Sequence, residues 1–111
     1  MRGTTADIEK APPGYQEKHA QRQVLDYALL RHWLAYHDFD SRRNARGFLD
    51  TVLCREGRLV FMEVKIVKNG KRTRLRPEQK EWIAALKTVP GIEVYVVYLP
   101  DDWHVVERIL A

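Results

Sequence analysis

A single cysteine, Cys54, stands among 111 residues. No internal disulfide is available, and a reducing compartment is the simple expectation. Cys54 sits in an apolar run, where a free thiol is expected to behave as a small buried hydrophobe. Long apolar stretches are equally scarce. None approaches the ~20 residues of a membrane span. The N-terminal MRGTTADIEKAPPGY holds no apolar segment of the secretion-signal kind. The expectation is therefore a cytoplasmic protein without a membrane partner. Acidic residues are outnumbered, 15 against 19 basic, giving a formal net charge of +4 and a pI near 9.4. That balance favours a polyanionic partner, nucleic acid before membrane. There is no Gly-x-x-x-x-Gly-Lys loop and no Gly-x-Ser-x-Gly elbow. His32 and His37 do not have i,i+4 spacing and only one thiol is present, which argues against a zinc site.

What is present fits one domain. Residues 1–14, ending in Pro12-Pro13-Gly14, read as a flexible tail, and 15–111 as the folded unit. From Gln16 to Tyr36 no Pro or Gly intervenes, and Val24, Leu25, Ala28 and Leu29 recur at helical spacing, which predicts a first helix. The polar segment His37–Gly47 reads as a loop. Leu49–Cys54 and Leu59–Val67 are apolar runs joined by Arg55-Glu56-Gly57-Arg58, a β-hairpin pattern. The second run is apolar on both faces apart from Glu63 and Lys65, as in a central, doubly covered strand. Lys68–Arg76 reads as a basic loop. Pro77 and Glu78 suit a helix start, and Trp82, Ile83, Leu86 and Val89 give that helix an apolar face until Pro90-Gly91. Ile92–Leu99 predicts a further strand, and WHVVERILA a terminal helix. Tyr95, Tyr98 and Trp103 fit either core or interface. The order α-β-β-α-β-α describes an α/β fold with a mixed sheet flanked by helices. The crossover helix should leave the second and third strands parallel and adjacent.

The hairpin carries the chemistry. Glu63 and Lys65 are two apart on a strand and share a face. With Glu56-Gly57 as a two-residue loop, Arg55 faces Arg58, and counting back puts Asp50 opposite Glu63. Directly opposed residues have Cβ atoms roughly 4.5–5.5 Å apart. Two carboxylates held that close repel, and a bound cation relieves the repulsion. All-oxygen ligands suit Mg²⁺ or Mn²⁺. Glu17, Gln21, Val24 and Ala28 fall on one stripe of the first helix, so Glu17 and Gln21 extend toward the same site. Lys68, Lys71, Arg72, Arg74 and Arg76 follow the hairpin and Arg42, Arg43 and Arg46 precede it; phosphate contacts are their natural use.

Asp50, twelve intervening residues, then Glu63-Val64-Lys65 resembles the catalytic signature of PD-(D/E)XK nucleases. The lead-in Gly47-Phe48-Leu49-Asp50, with Arg76-Pro77-Glu78-Gln79 opening the next helix, resembles the VRR-NUC branch, small nuclease domains of phages and of repair enzymes. Leu49 stands where that branch usually has proline. The resemblance covers about residues 15–100. It implies a restriction-endonuclease-like three-layer core and a Mg²⁺-dependent, structure-specific DNA endonuclease in which Mn²⁺ substitutes. Asp50, Glu63 and the Val64 carbonyl would hold the metal, with Glu17 as a further candidate ligand. Lys65 would position the attacking water and neutralise charge. Gln79 would orient Lys65 or that water. Stand-alone members are similar to Holliday-junction resolvases working as homodimers in DNA repair and recombination, which implies branched DNA as substrate and a bacterial or phage-infected cell as setting. The alternatives are a flap, single-strand or general DNA nuclease, a non-catalytic DNA-binding module of the same fold, and a basic scaffold that binds no DNA.

Overall fold

Helix α1 spans Glu17–Leu30 in the computed structural model, which describes residues 14–38 and 47–111. The expected tail up to residue 13, and Arg42, Arg43 and Arg46, lie outside the described residues. The helix begins with the Gln16 N–H donating to His19 Nδ1 at 3.0 Å. It buries Val24, Leu25 and Ala28 of the predicted recurrence together with Ala20, while Leu29 is exposed. It does not run on to Tyr36. The His32 N–H donates to the Leu29 carbonyl at 3.1 Å and the Trp33 N–H to that of Ala28 at 3.0 Å, with His32 left-handed at φ 69°. This is a Schellman ending. A histidine fills the position where glycine is usual, so no breaker marks it in the sequence.

The freed residues Leu34–His37 form strand β1. β1 pairs antiparallel with β2 (Thr51–Arg55), Leu34 facing Cys54 and His37 facing Thr51. β2 pairs antiparallel with β3 (Arg58–Lys68), from Arg55 facing Arg58 to Thr51 facing Met62. The two-residue turn is as expected: Glu56 and Gly57 have φ of 50° and 81°, the double-positive pattern of a type I′ hairpin that matches strand twist. A second turn of this kind, Asn69 (φ 53°) and Gly70 (φ 74°), divides the segment read as a basic loop. It folds β4 (Lys71–Arg72) back on Val67 and Lys68.

Helix α2 (Pro77–Leu86) opens with proline in its first turn and stops before Val89, which is exposed rather than part of an apolar face. β5 (Glu93–Leu99) returns parallel to β3, from Val60 facing Glu93 to Ile66 facing Leu99. Helix α3 (Trp103–Leu110) ends the chain. The five strands and three helices make an α/β fold with β3 at the centre, bonded to β2, β4 and β5. Among the described residues no helix is long and apolar enough to cross a membrane.

Side-chain alternation sorts the layers. Val60, Met62, Val64 and Ile66 of β3 join Leu53, Val97, Leu99, the α1 stripe and Val106, Ile109 and Leu110 of α3 in one core cluster. The alternate set, Phe61, Glu63 and Lys65, points the other way. Trp82 of α2 packs edge-on against Phe48, 4.8 Å between ring centroids, and Phe48 against Phe61 at 6.2 Å. Cys54, expected to be buried, is exposed: it belongs to the alternate set of β2, opposite the face that carries Thr51 and Leu53 into the core.

The end of the sheet remote from the site is fastened by arginines. Arg55 and Arg58 stack over Trp33 at 4.5 and 5.1 Å. Trp33 Nε1–H and the Arg58 guanidinium donate to the Leu110 and Ile109 carbonyls at the end of α3. Arg58 also grips Glu93 with two 2.7 Å hydrogen bonds.

Candidate active site

The register that faces Arg55 with Arg58 holds through Thr51 and Met62, so the next pair along is Asp50 and Glu63. They line a cavity of about 110 Å³ with Glu17, Gln21, Asp38, Phe48, Arg76 and Gln79. β3 runs on past the end of β2, and the cavity opens at that fork.

Each carboxylate is held from a different layer. Asp50 accepts from Gln21 Nε2 of α1 at 2.9 Å on one oxygen and from the Thr51 hydroxyl at 2.8 Å on the other. Glu63 accepts from Gln79 Nε2 of α2 at 2.8 Å, and Gln79 is fixed in turn by the Arg76 N–H donating to its Oε1 at 2.8 Å. Gln79 therefore orients Glu63 rather than Lys65. Lys65 Nζ lies 3.5 Å from Glu17 Oε2. Glu17 thus reaches the site as its helical stripe suggested, through the ammonium. Glu63, Lys65 and Gln79 are only 3%, 7% and 5% exposed.

Buried charge this concentrated is costly unless compensated. Desolvation pushes the Glu63 carboxyl up to about 8, the Asp50 charge adds to the rise, and Lys65 opposes it. Desolvation also raises Asp50, to about 7, against hydrogen bonds from Thr51, Gln21 and the Val64 backbone. The second Glu63 oxygen, Oε1, is buried with no hydrogen-bond partner. A cation fits this donor set: two acid groups that resist ionising side by side, an acceptor without a donor, and only oxygens offered, the preference of a hard divalent ion. Among the described residues no three His, Cys, Asp or Glu side chains converge as a ready cluster. A cation held there would take Asp50 and Glu63 as side-chain donors, with main-chain oxygen or water completing the shell.

Of the basic residues, Arg76 lines the cavity, while Lys68, Lys71, Arg72 and Arg74 are exposed on and after the β3–β4 hairpin. Arg72 stacks over Tyr98 at 4.4 Å. On sequence alone His37 and Asp38 fall in a polar loop, and Thr51 is not singled out. His37 Nδ1 is 3.1 Å from the Thr51 hydroxyl, and the Asp38 N–H donates to the Asp50 carbonyl at 3.0 Å. The β1 segment Leu34–His37 carries no alternating pattern and continues the apparent helix, so nothing in the sequence marks His37 as a strand residue. Gly47 is the tightest point of the site's frame. At φ 79°, an added Cβ would stand 2.5 Å from the Glu78 backbone, so the loop leading to Asp50 lies directly on the start of α2. No family model and no curated protein matches the chain.

Proposed function

We propose that the chain is a metal-dependent DNA endonuclease of the PD-(D/E)XK kind, VRR-NUC-like, with a restriction-endonuclease-like arrangement of its α/β core. The observation that carries this reading is the pairing of Asp50 with Glu63 across the β2–β3 fork, Lys65 on the same face, and a buried Glu63 oxygen lacking a donor. Asp50, Glu63 and the Val64 carbonyl would hold Mg²⁺ or Mn²⁺. A bound divalent ion supplies Lewis-acid polarisation of the phosphodiester and acidifies water at neutral pH.

The remaining work falls to the chain itself. The Lys65 ammonium, steadied by Glu17, neutralises charge developing on the phosphate oxygens and orients the attacking water. Gln79 fixes the Glu63 carboxylate. The cationic residues from Lys68 to Arg76 bind the phosphate backbone without reading bases, so selectivity comes from DNA shape. A four-way junction has two strands to cut and one chain carries one site, which favours a two-fold homodimer acting on branched DNA in repair or recombination.

The test is cleavage of a labelled four-way junction beside linear duplex, flap and single-stranded DNA, with Mg²⁺, Mn²⁺ or EDTA. Paired, symmetric, metal-dependent nicks in the junction alone support the resolvase reading. Cutting of flaps or single strands moves the assignment to that branch. DNA binding without cleavage under any condition would replace the enzyme by a non-catalytic binding module.

A further inference from the structure

On the α1 side of the sheet, a chain of three polar groups leads to Asp50. Thr51 is fully buried on the core face of β2. Its cross-strand partner is His37. With Asp50 ionised, as metal binding requires, the Thr51 hydroxyl gives its one hydrogen to Asp50 Oδ1 at 2.8 Å. Toward His37 Nδ1, 3.1 Å away, the hydroxyl oxygen must therefore accept, which puts a hydrogen on Nδ1 whatever the charge of the ring. The direction of the chain is thus set: His37 Nδ1–H to Thr51 Oγ1–H to Asp50 Oδ1. Gln21 holds Oδ2 at 2.9 Å from the helix. With Thr51 on one oxygen, Gln21 on the other and the Val64 backbone as a further donor, the carboxylate is fixed in rotation.

We propose that His37, acting through Thr51, is a positioning residue that presents the Asp50 carboxylate to a divalent cation. The inference rests on the metal-site reading above. Outer hydrogen-bond partners of ligands commonly set affinity by about ten- to a hundredfold, because a ligand free to rotate must be ordered on binding. A plain packing role for His37 would instead be tolerant of any side chain that fills the same space on β1.

The experiment is Mn²⁺ binding to the full chain by titration calorimetry, with melting in EDTA recorded for each variant. Thr51→Val keeps shape and removes the hydroxyl; Thr51→Ser restores it. His37→Leu removes the ring donor, whereas His37→Asn places an amide N–H near the Nδ1 position. Affinity should fall about tenfold in Thr51→Val and less in His37→Leu. It should return in Thr51→Ser and His37→Asn, and the Val/Leu double variant should be no weaker than Thr51→Val alone, as for groups acting in series. Wild-type affinity in Thr51→Val or His37→Leu would overturn the positioning role while leaving the metal site standing. Equal losses in His37→Asn and His37→Leu would overturn it as well. No Mn²⁺ binding by the wild type would overturn the metal-site reading itself and this role with it. Should Thr51→Val fail to fold, the His37 pair decides alone.

Discussion

Replacing Glu63 by glutamine should stabilise the metal-free protein at alkaline pH while abolishing its response to metal. The native carboxyl titrates near 8 instead of 4.5, chiefly through desolvation and the Asp50 charge. Between those values the unfolded chain has already released a proton that the native state keeps. Native stability therefore falls as pH rises from about 4.5 toward 8, and is fully present below 4.5. At about 1.36 kcal/mol per pH unit the penalty above pH 8 is on the order of 5 kcal/mol. Asp50 and Glu63 share the repulsion, so one amide should recover roughly half, about 2 kcal/mol, or some 10 °C in Tm for a domain this size. Gln79 still finds an acceptor, the amide oxygen. Melting in EDTA at pH 5 and pH 8.5 should show the variant near wild type at the lower pH and clearly more stable at the higher. Saturating Mn²⁺ should then raise only the wild type, by about 2.7 kcal/mol at a hundredfold excess over Kd, and more strongly at pH 8.5 because ligation needs the carboxylates ionised. A Glu63→Gln variant less stable than wild type in EDTA at pH 8.5, or an effect independent of pH, would refute this account of the pair.

Gly47→Ala should cost about 3 kcal/mol in urea unfolding, since the new Cβ meets the Glu78 backbone at 2.5 Å and the left-handed backbone disfavours it as well; a change below 1 kcal/mol would show that the loop yields. Arg58→Met should flatten the acid limb of stability: Glu93 is held down to about 2 by Arg58, a contribution present above pH 4.5 and lost as pH falls toward 2. The pair is about one-third exposed, 35% and 28%, so its worth at neutral pH is about 1 kcal/mol after screening, readable by denaturation across pH 2–7. Neutralising Lys71, Arg72 and Arg74 together to Gln should lower the slope of log K against log salt for duplex binding by about 2–3, near 0.9 per lost phosphate contact, and an unchanged slope would remove the β3–β4 hairpin from the interface.

Legibility followed the range of the interactions. The β2–β3 hairpin was readable because a two-residue turn fixes register locally, and with it the Asp50–Glu63 pairing. α2, with its proline in the first turn, and the parallel return of β5 were readable from local punctuation and crossover handedness. The end of α1 was not. Its left-handed residue is His32, and β1 exists because Leu34–His37 meets β2 from further along the chain. With β1 went His37, whose partner Thr51 is fourteen residues away. Asn69-Gly70 carried an explicit hairpin signal that the surrounding cationic run obscured. Glu17 and Gln21 reached the site as their stripe suggested, but which ion or amide each would meet depended on tertiary distances: Glu17 meets Lys65, and Gln21 meets Asp50. Exposure of Cys54 likewise reflects which face of β2 it occupies, set by the register of the sheet.

The central claim, that Asp50 and Glu63 form a hydrolytic metal site, is tested most directly by one comparison. Wild type and Asp50→Asn would be incubated with labelled four-way junction DNA in Mg²⁺, with an EDTA control and a binding assay run in parallel. The account predicts cleavage by the wild type, none in EDTA, and loss of cleavage by at least about a hundredfold in the variant with DNA binding retained. Cleavage by Asp50→Asn at the wild-type rate, or cleavage that persists in EDTA, would contradict it.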